Sequence, residues 1–94
     1  MDSLFDLMFG IMNNDYSKAD KVGRDVIGDY TINTCDTVDQ GYETAMWKGD
    51  GDIIIVERYP DKARAEQGHQ KWVDFAKMKP KDVYSVQVDA HVNF

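Results

Sequence analysis

Cysteine is nearly absent from this chain of 94 residues. Cys35 stands alone, so an intrachain disulfide is excluded, and a reducing interior such as a cytoplasm fits best. Basic charge is also scarce: 11 Lys and Arg face 17 Asp and Glu, for a formal charge of −6. That balance argues against non-specific binding of nucleic acid or of an anionic membrane, both of which repel an acidic surface, and it suits a basic partner. The imbalance is local, since residues 1–50 hold ten acids against four bases, whereas residues 51–94 hold seven of each. No long hydrophobic run is present. The most apolar stretch, LFDLMFGIM at 4–12, is about half as long as the ~20 residues that a membrane helix needs. The Met-Asp-Ser before it lacks the basic start of a secretory signal, so the stretch reads as part of the mature protein.

What the chain does have is apolar and aromatic residues in ordered patterns. A hydrophobic share of 43%, with two Trp, five Tyr and four Phe, predicts a single domain with an aromatic-rich core. Ser3 can cap a helix over 4–13, with Asp6 in its first turn. Leu4, Leu7, Met8, Ile11 and Met12 form its stripe, and Phe5 and Phe9 widen the apolar surface beyond one contact face. Such a helix either plugs into the core or meets another chain.

Even-numbered Val26, Gly28, Tyr30 and Ile32 alternate with polar neighbours, which predicts a strand over 26–34 followed by a loop over 35–41. YETAMWK at 42–48 and DIIIVERY at 52–59 flank Gly49–Asp50–Gly51 and read as a hairpin. Ile53 to Val56 is apolar on both faces, which suggests a central strand. A helix follows from Pro60 to about Met78, closed by Pro80. Tyr84, Val86, Val88, Ala90, Val92 and Phe94 then alternate with polar residues, predicting one long last strand. The expected fold is α+β: a short N-terminal helix, a three-stranded antiparallel meander, one long helix packed on the sheet, and a C-terminal strand returning parallel to the third.

The long helix contains an oddity, GHQKW at 68–72. Ala65, Gly68, His69, Trp72, Val73 and Ala76 share one stripe, so the glycine faces inward. There it either lets the helix approach the sheet or lets a large residue, Tyr59 or Trp47, fill the gap, at a helix-propensity cost of about 1 kcal/mol. For His69 the plainer reading is a buried imidazole bonded to a strand carbonyl or to a polar side chain such as Glu43. The functional reading is a general base or a metal ligand. A metal is poorly served, because His91 is the only other histidine and no paired cysteines exist.

Other chemistry is thin. Cys35, in the polar TCDT segment, lacks a local base to make it a nucleophile. Asp36, Asp39, Glu43, Asp50 and Asp52 lack EF-hand spacing and read as solvated turns. Glu57 and Tyr59 share a strand face, so a Tyr59–Glu57–His69 hydrogen-bond group is conceivable. Trp47 is the residue expected to show on the outer sheet face, where it would mark recognition, with simple burial in the core as an equal alternative. Lys71, Lys77, Lys79 and Lys81 form a modest basic cluster that complements the C-terminus of the helix.

Taken together, YETAMW, IIIVERYPDKARAEQGHQKWVDF and the hairpin between them resemble small uncharacterised proteins of tailed phages and prophages. Those proteins carry an ET-containing strand, a VERY-like strand end and a GHxxW helix. The resemblance covers residues 42–75 and implies a phage or prophage origin without assigning a catalytic residue.

The expectation is therefore a non-enzymatic accessory protein that binds protein, either as an inhibitor of a host defence factor in the host cytoplasm or as a small virion component. Homo-oligomerisation is expected, with Leu4, Phe5, Met8, Phe9, Met12 and Trp47 as the partner-binding residues and with no cofactor or metal. The alternative is a small enzyme that uses His69 with Glu43 or Glu57 as an acid/base pair.

Overall fold

Glycines at tight turns cut the chain into hairpins. The computed structural model describes residues 21–37 and 41–94. Strands β1 (Lys21–Ile27), β2 (Tyr30–Thr37), β3 (Gly41–Lys48) and β4 (Ile54–Tyr59) form one antiparallel sheet in chain order. Helix α1 (Lys62–Ala76) packs across it. The chain closes with a separate two-stranded hairpin of β5 (Asp82–Ser85) and β6 (Ala90–Asn93). The fold is thus α+β, but its meander has four strands rather than three. The expected helix over 4–13 lies outside the described residues. No helix among the described residues is long and apolar enough to cross a membrane.

Two strands read as continuous are in fact hairpins, for one reason. Within the expected strand at 26–34, Gly28 and Asp29 form a two-residue turn, with Gly28 at φ 61° where tight hairpins use glycine. Because Ile27 pairs with Tyr30, the inward positions are even-numbered in β2 and odd-numbered in β1. Val26 consequently points outward and is 64% exposed. Near the C-terminus, residues 86–89 turn the chain, with Asp89 at φ 57° and its N–H donating to Ser85 O at 2.8 Å. Val83 pairs with Val92 on the core side, so Tyr84 and Val88 lie outside the core. The expected long strand parallel to DIIIVERY is therefore absent. Instead, Val86 N donates to Ile55 O at 2.9 Å, tying the turn to β4.

The segment over 35–41, expected as a loop, mostly extends the sheet, since Cys35 to Thr37 finish β2 and Gly41 begins β3 opposite Thr37. The β3–β4 hairpin forms around Gly49 at φ 55°, as its punctuation predicts. Gly49 N also donates to Asp29 O at 2.9 Å, joining the two turns at this end of the sheet.

Helix α1 is capped by Asp61, whose side chain accepts from Arg64 N at 2.9 Å, and it ends two residues earlier than expected. Its buried stripe is Ala65, Gly68, His69, Val73 and Ala76, as the spacing predicts. Val73 and Ala76 pack on Tyr30, Ile32, Met46, Ile54, Val56 and Val83. Cross-strand partners Ile32 and Met46 are fully buried, and removing such side chains from water is worth about 1.5–3 kcal/mol each. On the other face of the sheet, Ala45, Trp47 and Ile55 pack with Ile53 and Val86. Both faces of β4 are thus covered, which explains its continuous apolar run although it stands at the end of the strand order rather than in the centre.

Candidate functional site

Beneath the GHQKW turn of α1, polar side chains occupy positions that the strand pattern reserves for apolar ones. Thr34 on β2 shares the inward parity of Tyr30 and Ile32, and Thr44 shares that of Met46 on β3. The two threonines are cross-strand partners, both fully buried, with their hydroxyl oxygens 2.5 Å apart. His69 Nδ1 lies 2.7 Å from Thr34 Oγ1, and the Tyr59 hydroxyl lies 2.9 Å from Thr44 Oγ1. At the other edge of the imidazole, Nε2 lies 2.7 Å from Asp25 Oδ2. The result is one hydrogen-bonded chain, Asp25–His69–Thr34–Thr44–Tyr59, which joins β1, β2, β3, β4 and α1.

Two glycines make room for this chain. A slip in the β1–β2 register around Val22 sets Gly23 opposite Thr34, and a β-carbon at Gly23 would lie 2.9 Å from the His69 ring. Gly68 faces Tyr59 in the same way, since a β-carbon there would overlap the phenol ring. The dipeptide Gly68–His69 thus does two tasks at once: the glycine receives Tyr59, and the histidine reaches down to Thr34. Of the two residues expected to fill the glycine gap, Tyr59 is the one that does so.

One proton direction is fixed by its acceptor: the Asp25 carboxylate can only accept, so Nε2–H donates to it. Between the threonines, and between Thr44 and Tyr59, hydroxyl meets hydroxyl, and either oxygen can donate. Burial raises the Tyr59 phenol well above its ordinary value, and the neighbouring Glu57 charge adds to this, partly offset by the bond to Thr44. Tyr59 therefore stays protonated and able to donate.

Glu57 closes the group beside Tyr59. It accepts from Trp72 Nε1 at 2.8 Å and pairs with Lys71 Nζ at 2.6 Å. Burial works to raise its carboxyl, but donation from Lys71 and Trp72 outweighs burial and holds it below the ordinary value. The expected Tyr59–Glu57–His69 grouping does not form: Glu57 is held by Trp72 and Lys71, and two threonines connect Tyr59 to His69.

Chemically, Asp25–His69–Thr34 repeats the acid–imidazole–hydroxyl order of nucleophilic triads. Its would-be nucleophile is sealed: Thr34 is 0% exposed, and its hydroxyl is shared with Thr44. His69 is 8% exposed. A substrate carbonyl has no approach to the oxygen, and the arrangement serves to satisfy buried polar groups across five elements.

The other sequence candidates are dispersed. Glu43 sits next to Thr44 and so faces the opposite side of the sheet from His69, with its Oε1 3.5 Å from Arg58 Nε. Glu43 is therefore not beside His69, and Glu57 reaches His69 only through Tyr59 and the threonines. Cys35 is buried in β2 rather than displayed on a loop. Trp47 lies on the face away from α1, as expected, but is 6% exposed, with the Arg24 guanidinium 5.8 Å from its ring centre. It is packed rather than displayed. Leu4, Phe5, Met8, Phe9 and Met12 lie outside the described residues. Among the described residues no three His, Cys, Asp or Glu side chains are grouped to hold a metal ion.

Sequence reasoning missed Asp25, Thr34 and Thr44. The signal for the threonines was available, as polar residues standing at dry-face parity in otherwise apolar strands. Asp25 was hidden by the parity change at Gly28–Asp29. Compared with known protein families, curated proteins and solved structures, the chain matches none, and its reading rests on this geometry.

Proposed function

We propose that the protein is a non-enzymatic accessory protein of the tailed-phage kind, acting by binding other proteins and assembling with copies of itself. The observation that carries this reading is the sealed Thr34 hydroxyl. The acid–imidazole–hydroxyl group most like a catalytic constellation is built into the fold, with its oxygen 0% exposed. The acidic surplus of −6 supports a partner with a basic surface, because complementary charge speeds and orients encounter. That favours the inhibitor of a host defence factor, working in the host cytoplasm, over the virion component. In this reading Leu4, Phe5, Met8, Phe9 and Met12 supply the contact surface. Trp47, packed with Ala45 and Ile55, stiffens the sheet.

Two measurements test the proposal. Light scattering across a concentration series should show a self-associated species that dissociates when residues 1–12 are deleted. Cells expressing the chain should plate a defence-restricted phage more efficiently than control cells, with the protein missing from purified virions. Presence in virions would shift the reading to the structural version. A monomer with neither effect refutes it.

A further inference from the structure

At the end of the sheet where the two joined turns meet the C-terminus of α1, a groove of 430 Å³ opens between Ile27, Tyr30, Ala76 and Pro80. Four lysines line it, Lys48, Lys77, Lys79 and Lys81, against one carboxylate, Asp29. On a chain of formal charge −6, such a concentration of ammonium groups runs against the average.

Complementing the helix terminus accounts for only part of it, since the last carbonyls of α1 already accept from Lys77 N, Met78 N and Lys79 N. Lys77 has Asp74 at 3.6 Å, and Lys48 rests over the Tyr30 ring at 5.5 Å. Lys79 and Lys81 have no ion-pair partner among the described residues. Lys79 also holds a left-handed backbone, φ 54°, just before Pro80. Glycine or asparagine is the favoured residue at such a position after a helix. Lys79 thus carries a β-carbon in a strained backbone while its charge stands on a concave surface.

We propose that this groove binds a compact phosphorylated small molecule of nucleotide size. Lysine is a point charge suited to phosphate oxygens, and four of them can neutralise two or more phosphates. Ile27, Ala76 and Pro80 offer an apolar floor for the rest of the ligand. A long nucleic acid is disfavoured by the formal charge of −6 on the whole chain. The groove also lacks a stacking platform: Tyr30 is buried, with Lys48 over its face and Phe94 edge-on at 5.3 Å. The site is independent of the protein-binding reading above.

Calorimetric titration of the full chain with pyrophosphate, ADP, ATP and a short single-stranded oligonucleotide, without divalent metal and at low salt, tests this. ATP or ADP should bind more tightly than pyrophosphate. Lys79→Gly, which relaxes the backbone while removing one charge, should weaken binding about tenfold, as expected for one charge-assisted contact, while the melting temperature holds or rises. Lys81→Gln, with its backbone unaltered, should weaken it similarly. The proposal is overturned if no nucleotide binds with Kd below about 1 mM, if both variants bind like the parent, if pyrophosphate matches ATP, or if the oligonucleotide binds more tightly than either nucleotide.

Discussion

Replacing Gly68 by alanine sets two known effects against each other. In an exposed helix the change gains about 1 kcal/mol from propensity. Here the new β-carbon would overlap Cε1, Cζ and the hydroxyl of Tyr59, a ring 7% exposed and held by Thr44 at 2.9 Å. The ring cannot swing into solvent without leaving the core, so it shifts and strains its neighbours, at about 1–3 kcal/mol for overpacking. A shift of the hydroxyl also weakens its bond to Thr44, adding about 0.5–1.5 kcal/mol. The net expectation is a loss of about 0.5–3.5 kcal/mol, and each kcal/mol lowers the melting temperature by about 4–8 °C in a domain of this size.

Urea unfolding followed by tryptophan fluorescence measures the change, with an unaltered slope showing that the compactness of the two states is preserved. The decisive comparison is Gly68→Ala in a Tyr59→Leu background, where the overlapping ring atoms are gone. There the same substitution should turn favourable by up to about 1 kcal/mol. If Gly68→Ala stabilises the parent protein, or acts alike in both backgrounds, the packing account of the glycine is wrong.

Position along the polar chain sets two further outcomes. Thr34→Val, nearly isosteric, strands His69 Nδ1 and Thr44 in the dry interior and should cost about 1–3 kcal/mol by urea unfolding, whereas Asp25→Asn, at an end with 52% of its side chain exposed, should cost under about 1 kcal/mol; equal costs would refute a buried network. Glu57, held below its ordinary value of 4.5, contributes stability that is present above that value and lost as pH falls through its lower value in the folded state, because the unfolded chain takes up the proton first. Glu57→Gln should flatten the acid side of the stability profile as pH falls below the ordinary value of 4.5, and an unchanged acid limb would show that Lys71 and Trp72 do not hold the carboxylate as described.

The long helix was legible from the residues, and the errors cluster where strands reverse. The stripe through Ala65, Gly68, His69 and Val73 is local, so it survives any arrangement of the sheet. Alternation in strands is local too, but a loop of even length exchanges the inward parity between the strands it joins. Gly28–Asp29 and residues 86–89 are both such loops. Val26 and Tyr30 match in number yet face opposite ways, and so do Tyr84 and Val92. A run of alternating apolar residues therefore looked like one strand when it was two, and its most regular-looking stretch was the most misleading.

The same parity change conceals the network. Asp25 read as an outward residue of a half-buried strand, whereas pairing with Ile32 turns it toward α1 and His69. Thr34 and Thr44 are ordinary strand formers whose importance arises only when β2 and β3 are in register. In that register their hydroxyls have no water to bond and few alternatives to each other. Each must then be satisfied by the residue above it: Tyr59 reaches Thr44, and His69 reaches Thr34. Leucine or phenylalanine at 69 would leave the Thr34–Thr44 pair without its partner at one end, and a larger residue than glycine at 68 would displace Tyr59 at the other. The unfavourable-looking Gly68–His69 dipeptide is therefore determined less by the helix that contains it than by two threonines facing it across the core.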